Sequence, residues 1–231
     1  MMRANPYILC IDSATTKCSV ALGQGIEMVA YDQDMESNSH SEKLTLLIQN
    51  VLKTVEITPK SLDAIAINGG PGSYTSLRVG ASVAKAMCYA LDIPLISISI
   101  HEIMKNGVGT IDEKSLLVTS VDARRMEVYV SWYNQSGDEV KNSESCILTE
   151  TNVEEYDAYD KVLLAGDGAG KMLNFYNNPK FINSQIENDA KYMLVPAIQL
   201  YEQQKFENIF LYEPSYFKTP NITVAKNLIK G

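Results

Sequence analysis

The segment Ala64-Ile65-Ala66-Ile67-Asn68-Gly69-Gly70-Pro71-Gly72-Ser73-Tyr74-Thr75-Ser76-Leu77-Arg78-Val79-Gly80 constrains this chain more than any other. An apolar strand runs into a loop of glycines and a proline. A helix follows, with small residues at Gly80, Ala81, Ala84 and Ala86. A strand–glycine loop–helix unit bares backbone N–H groups toward a phosphate or a partner. The loop carries no lysine where a P-loop needs one, and no Gly-x-Gly-x-x-Gly. It has the outline of a nucleotide site without the usual reagents.

Around this segment the chain runs one α/β programme twice. Tyr7–Ile11 reads as a buried strand, and Asp12-Ser13-Ala14-Thr15-Thr16 as a turn. Ser19–Leu22 returns, Glu27–Asp32 follows, and Gly23-Gln24-Gly25 joins those two as a hairpin. Glu42–Val55 places Leu44, Leu47, Ile48, Val51, Leu52 and Val55 on one face of an amphipathic helix. Ser41 is its expected N-cap, with Glu42 in the first turn. Leu62–Asn68 is the strand before the glycine loop and Tyr74–Leu91 the helix after it, ended by Asp92-Ile93-Pro94. Leu95–Ile100 is a further strand. In the second half, Ser115–Val121 ends in Asp122, Ala123-Arg124-Arg125 turns, Glu127–Tyr133 returns and Glu139–Ser143 is a third strand. Val162–Ala165 leads through Gly166-Asp167-Gly168-Ala169-Gly170 into a helix, Lys171–Tyr176. Ala190–Gln204 reads as a long helix in which Pro196 marks a kink or a late start. Phe210–Gly231 reads as extended or irregular.

With 231 residues the chain can form one large domain or two small ones. The repeat predicts a first unit over 1–100, joined by about 190–231, and a reduced second unit over 101–189. No apolar run reaches the roughly 20 residues a membrane span requires. Met1–Pro6 leads straight into the first strand, so the expectation is a chain without a secretory leader. Cys10, Cys18, Cys88 and Cys146 are scattered in apolar or half-buried patterns, as reduced thiols in the cytoplasm are. The net charge is −8 and Lys and Arg are not clustered, which argues against a grip on nucleic acid by this chain alone. His40 and His101 are the only histidines, and there is no Cys-x-x-Cys, which argues against the common metal sites.

Three acidic turns, at Asp12, Asp122 and Asp167, each follow an apolar strand. In a duplicated α/β fold Asp12 and Asp122 can face each other across a cleft and orient Mg²⁺-bound water near phosphates. They can equally be strand-end residues that accept turn hydrogen bonds. Asp12 is followed by Ser13-Ala14-Thr15 and Asp122 by Ala123-Arg124-Arg125, so side chains fill space that phosphates would want. Arg124 or Arg125 can pair with a phosphate or carboxylate, or make a structural salt bridge. Gly166–Gly170, with Gly168 at its centre, can approach an adenine or ribose, or be a plain strand–helix turn. His40-Ser41-Glu42 resembles a fragment of a catalytic triad, but helix capping explains it better. Ser73 and Thr75 lack a partner base. On the two first-half helices, Leu44, Leu47, Val51, Ser76, Val79, Gly80, Val83, Ala84 and Met87 are candidates for a four-helix contact with a partner. The competing reading is burial against the chain's own sheet.

Taken together, several segments resemble the TsaB (YeaZ) family of tRNA threonylcarbamoyladenosine biosynthesis proteins. They are Ile8-Leu9-Cys10-Ile11-Asp12-Ser13-Ala14-Thr15, His40-Ser41-Glu42, Gly70-Pro71-Gly72-Ser73-Tyr74-Thr75-Ser76-Leu77-Arg78 and Val121-Asp122-Ala123-Arg124-Arg125-Met126-Glu127-Val128-Tyr129. Glu213-Pro214-Ser215-Tyr216-Phe217 is similar to that family's ending. The resemblance implies the ASKHA (actin and sugar-kinase) fold, as two βββαβα-type subdomains. It implies a non-catalytic paralogue of TsaD, since the His-x-x-x-His metal motif of TsaD does not occur here. Its implied role is a scaffold or activator that binds TsaD, with TsaE, during threonylcarbamoyl transfer to N6 of adenosine 37 in tRNAs reading ANN codons. It implies no cofactor of its own, ATP or ADP entering only through the partner subunits. It further implies that tRNA is reached only through the complex, that the chain alone is a homodimer, and that the location is the cytoplasm. The alternative is a small phosphotransferase or ATPase of the same fold, using Asp12 and Asp122. A hydrolase using Ser73 is a weaker third reading.

Overall fold

The computed structural model describes residues 3–35, 40–149, 154 and 156–216, with the backbone alone for 40–42. Its frame is two five-stranded mixed sheets. The first contains β1 (Tyr7–Asp12), β2 (Cys18–Gln24), β3 (Glu27–Asp34), β4 (Ala64–Asn68) and β5 (Leu95–Ile98), in the order β3-β2-β1-β4-β5. The second contains β6 (Ser115–Asp122), β7 (Glu127–Tyr133), β8 (Glu139–Ile147), β9 (Lys161–Ala165) and β10 (Phe181–Asn183), in the order β10-β9-β6-β7-β8. Read from the other edge, the second order repeats the first strand for strand. In each half a three-stranded meander is antiparallel, and the remaining two strands add in parallel.

Parallel neighbours need crossover connections, and helices supply them. Helices α1 (His40–Thr54) and α2 (Tyr74–Leu91) cross between β3, β4 and β5. Their apolar stripes close on the first sheet, where Leu44, Leu47, Val51, Ala81 and Ala84 are buried. Central β1 and β4 are buried along both faces, which is why they read as unbroken apolar runs. In the second half α4 (Ala169–Tyr176) crosses between β9 and β10.

Two expectations are refined by the structure. The strand drawn to Ile100 stops at Ile98, and a helix, α3 (Ile100–Val108), begins at once. The Ser99 side chain caps it, accepting a hydrogen bond from His101 N at 3.1 Å. Ile100, Ile103 and Met104 are fully buried at i, i+3 and i+4. A continuous apolar run hides such a change of period. The long helix at Ala190 is a 3₁₀ turn, Ala190–Met193, followed by α5 (Leu194–Glu202). Pro196 is the third residue of α5, where its missing N–H interrupts no helical bond.

Three layers of contact hold the halves. One face of the first sheet packs on α1 and α2. The opposite face, through Ile8, Cys10, Ala64, Ala66, Ile96 and Ile98, packs on Met193, Leu194, Ala197, Ile198 and Tyr201. A third cluster joins the halves, with Ala14 and Leu77 from one side, Leu117, Val121, Tyr133 and Ala165 from the other, and Ile100 and Met104 of α3 between them. Cys10, Cys18 and Cys88 are buried thiols, and burial pushes Cys18 and Cys88 up to about 12, far from a reactive thiolate.

Candidate functional site

The turn after β1 carries the first of the three aspartates, and its carboxylate is enclosed by the chain itself. Asp12 is 1% exposed. One carboxylate oxygen accepts from Asn68 Nδ2 at 2.9 Å and from Ala14 N at 3.1 Å, and the other accepts from Asn188 Nδ2 at 2.8 Å. Burial pushes its carboxyl above the usual range, while the bonds from Asn188, Ala14 and Asn68 pull back. Asn68 spends its own carbonyl on Gly70 N at 2.9 Å, so Asp12 fixes the glycine loop through one intermediary.

The loop then folds directly onto the Asp12 turn. Ser73 N donates to Ala14 O at 2.7 Å. A Cβ at Gly72 would lie 2.4 Å from that same oxygen, so glycine here admits the chain's own backbone, not an anion's. Gly80 behaves likewise: a Cβ there would lie 2.4 Å from Ser13 Oγ, which donates to Ser76 O at 3.0 Å. From above, the segment Tyr212–Ser215 straps the loop. Ser215 N donates to Gly69 O at 2.8 Å and Tyr212 Oη meets Ser97 Oγ at 3.0 Å. Beside the strap opens a cleft of about 510 Å³ lined by Gly69, Ser97, Asn208 and Ser215 among others. Glu207 and Glu213 give it acidic walls, the opposite of a phosphate cradle.

Asp122 has a different setting. Its side chain pairs with Lys171 and accepts from Arg124 N at 2.6 Å, and its own N–H donates to Asp167 Oδ1 at 2.9 Å. It shares no hydrogen-bond partner with Asp12: Asp12 is sealed in a buried amide cage, and Asp122 is tied to a lysine. Gly168 donates its N–H to Ser120 O at 3.2 Å and packs on Ser120, in a turn that leads from β9 into α4. Ser73 is exposed and bonds Ser76 Oγ at 3.0 Å, and no base faces it among the described residues. The side chains of His40, Ser41 and Glu42 lie outside the described residues, as does the tail from Phe217.

The expected partner face also needs correction. Leu44, Leu47, Val51, Gly80 and Ala84 are buried in the chain's own core and cannot meet a partner. Ser76, Val79, Val83 and Met87 are half-buried, the last three packed on that core. The outward side of α2 is instead Tyr74, Arg78, Ser82, Ala86 and Tyr89. The Arg78 guanidinium lies 4.2 Å from the Tyr74 ring centre, and its Nε donates to Tyr216 Oη at 3.3 Å. At the other end Tyr89, 70% exposed, meets Phe210, 74% exposed, with ring centres 6.1 Å apart. The signal for these residues was present in the sequence, as the complement of the buried stripe.

A family model described as TsaD, tRNA N6-adenosine threonylcarbamoyltransferase, matches residues 34–195, well over half of the chain. The chain belongs to this family. TsaB of Haemophilus influenzae, a tRNA threonylcarbamoyladenosine biosynthesis protein, is 32% identical over 127 residues, which cover 55% of this chain and 53% of that relative. The match thus spans about half the length of the first curated relatives. In solved structures, YeaZ from Pseudomonas aeruginosa superposes with a TM-score of 0.77 over 91% of this chain and 99% of that one, at 23% identity. An inorganic polyphosphate/ATP-glucomannokinase from Arthrobacter shares the architecture more loosely, with a TM-score of 0.52, 11% identity and coverage of 85% and 100%. The fold is therefore ASKHA, with two sheets of matching strand order.

Proposed function

We propose that this chain is a non-catalytic scaffold or activator subunit in tRNA threonylcarbamoyladenosine formation. In this reading it binds a TsaD subunit and acts with TsaE, while nucleotide and tRNA are handled by the assembly. The observation that carries it is the closed Asp12 turn. A phosphotransferase of this fold needs a free aspartate beside an open glycine loop. Here all three hydrogen bonds to Asp12 come from the chain's own amides, and Gly72 and Ser73 occupy the space in front of Ala14. The family relationship supplies the pathway, and the outward side of α2 supplies a surface for the partner. Small side chains at Ser82 and Ala86 lie between aromatic ends at Tyr74 and Tyr89, a shape into which a partner helix can pack. None of the helices among the described residues is long and apolar enough to cross a membrane, and the cytoplasm is the proposed location.

Reconstitution tests this directly. TsaD and TsaE are assayed for modified adenosine with and without this chain, and its presence should raise the yield. Ser82→Arg and Ala86→Arg should weaken TsaD binding by at least roughly tenfold with an unchanged melting temperature. Equal yield with and without the chain, or Mg²⁺-dependent ATP turnover by the chain alone that Asp12→Ala removes, would overturn the reading.

A further inference from the structure

The hairpin between β6 and β7 turns through Arg124, Arg125 and Met126. Arg124 (φ 69°) and Arg125 (φ 52°) both stand in the left-handed region, where a side chain is strained and glycine is not. Hydrogen bonds pin the turn: Ala123 N to Glu127 O at 3.1 Å, Glu127 N to Arg124 O at 3.3 Å, and Arg124 N to Asp122 Oδ1 at 2.6 Å. Both arginines are exposed, and neither guanidinium has an ionic partner among the described residues. The neighbouring acids are engaged elsewhere. Asp122 holds Lys171, Asp167 holds the backbone N–H of Asp122, and Glu127 accepts from Ser145 Oγ. Two free cations thus stand at one strained tip of a chain whose net charge is −8.

Apolar surface lies against them. Met126 is 45% and Ile147 63% exposed, and Leu148 N donates to Met126 O at 2.8 Å, which sets the end of edge strand β8 beside the tip. We propose that Arg124, Arg125, Met126 and Ile147 form a second docking surface, for a protein partner that presents carboxylates beside an apolar side chain. Guanidinium forks match carboxylates in a bidentate way, and arginine with methionine is a composition that protein interfaces favour. A nucleic-acid grip is disfavoured: two phosphate contacts bind weakly, and the field of the whole chain is repulsive. The strain fits a site selected for reach rather than stability. The inference rests on the function proposed above in taking the TsaD subunit as that partner.

The test uses the full chain and purified TsaD, with affinity measured at several salt concentrations. Arg124→Glu/Arg125→Glu should weaken binding by at least roughly tenfold and flatten its salt dependence. Arg124→Gly/Arg125→Gly should also weaken binding by roughly tenfold, yet melt at a higher temperature than the wild type because the strain is relieved. A purely structural turn would give the second change without the first. Wild-type affinity in both variants overturns this surface and leaves the proposed function standing. Failure of the wild-type chain to bind TsaD overturns the proposed function and this surface with it. Binding of tRNA by the chain alone that both variants lose, with TsaD affinity unchanged, overturns the protein partner in favour of phosphate.

Discussion

Strands β1 and β6 hold the same place in their sheets, and each delivers an aspartate to the turn that follows. The two aspartates have opposite fates. Asp12 is covered by Asn188, from the segment that runs back over the first sheet, and by Asn68 from the neighbouring strand. Asp122 stays near solvent with Lys171 across from it. Duplication preserved topology, while the surroundings of each turn decided its chemistry. A carboxylate can orient a metal-bound water only where water reaches it, and Asp12 is buried with three amide donors, one of which, Asn68, holds the glycine loop.

The largest expected effect breaks this comparison at Asp12. Asp12→Ala leaves Asn68, Asn188 and the Ala14 N–H unpaired in a buried site and should cost about 3–5 kcal/mol in urea unfolding. Next is His101, which lies 1% exposed where the two halves meet, with Nδ1 at 2.9 Å from Thr119 Oγ1. Burial pushes its imidazole from 6.5 down to about 4. The folded state therefore favours the neutral ring. Its contribution is complete above the unfolded value and is lost as the pH falls from there toward 4. Wild-type stability should drop by about 3 kcal/mol more than that of His101→Gln across this window, measured as urea midpoints against pH. Gly80→Ala comes third, at about 1–3 kcal/mol from the contact with Ser13, and Ser13→Ala in the same chain should recover part of it. By the same contact, Gly80→Arg should unfold the chain rather than merely block a partner. The smallest is Asp122→Ala, about 1 kcal/mol, because the Asp122 side chain is 41% exposed to solvent. Equal losses at Asp12 and Asp122 would remove the contrast between the two turns.

The repeat was legible because strands buried on both faces leave unbroken apolar runs. Helices α1 and α2 were legible because their stripes keep the 3.6-residue period. The start of α3 was not, since Ile98 and Ile100 are equally apolar and only the cap at Ser99 separates strand from helix. β10, three residues long, gave no pattern at all. At the candidate site Asp12, Asp122 and the glycine loop were visible as types and spacings. Their partners were not: Asn188 comes from far along the chain, and its role exists only once the second half has folded back.

By itself, then, the sequence determined the duplicated α/β plan and showed that no P-loop motif occurs, because both depend on local residue type and period. Only the tertiary structure decided which glycines serve the chain's own backbone and which face of α2 stays exposed. The reason is physical. A buried stripe and a docking stripe have the same period, and packing alone determines which of them meets the sheet.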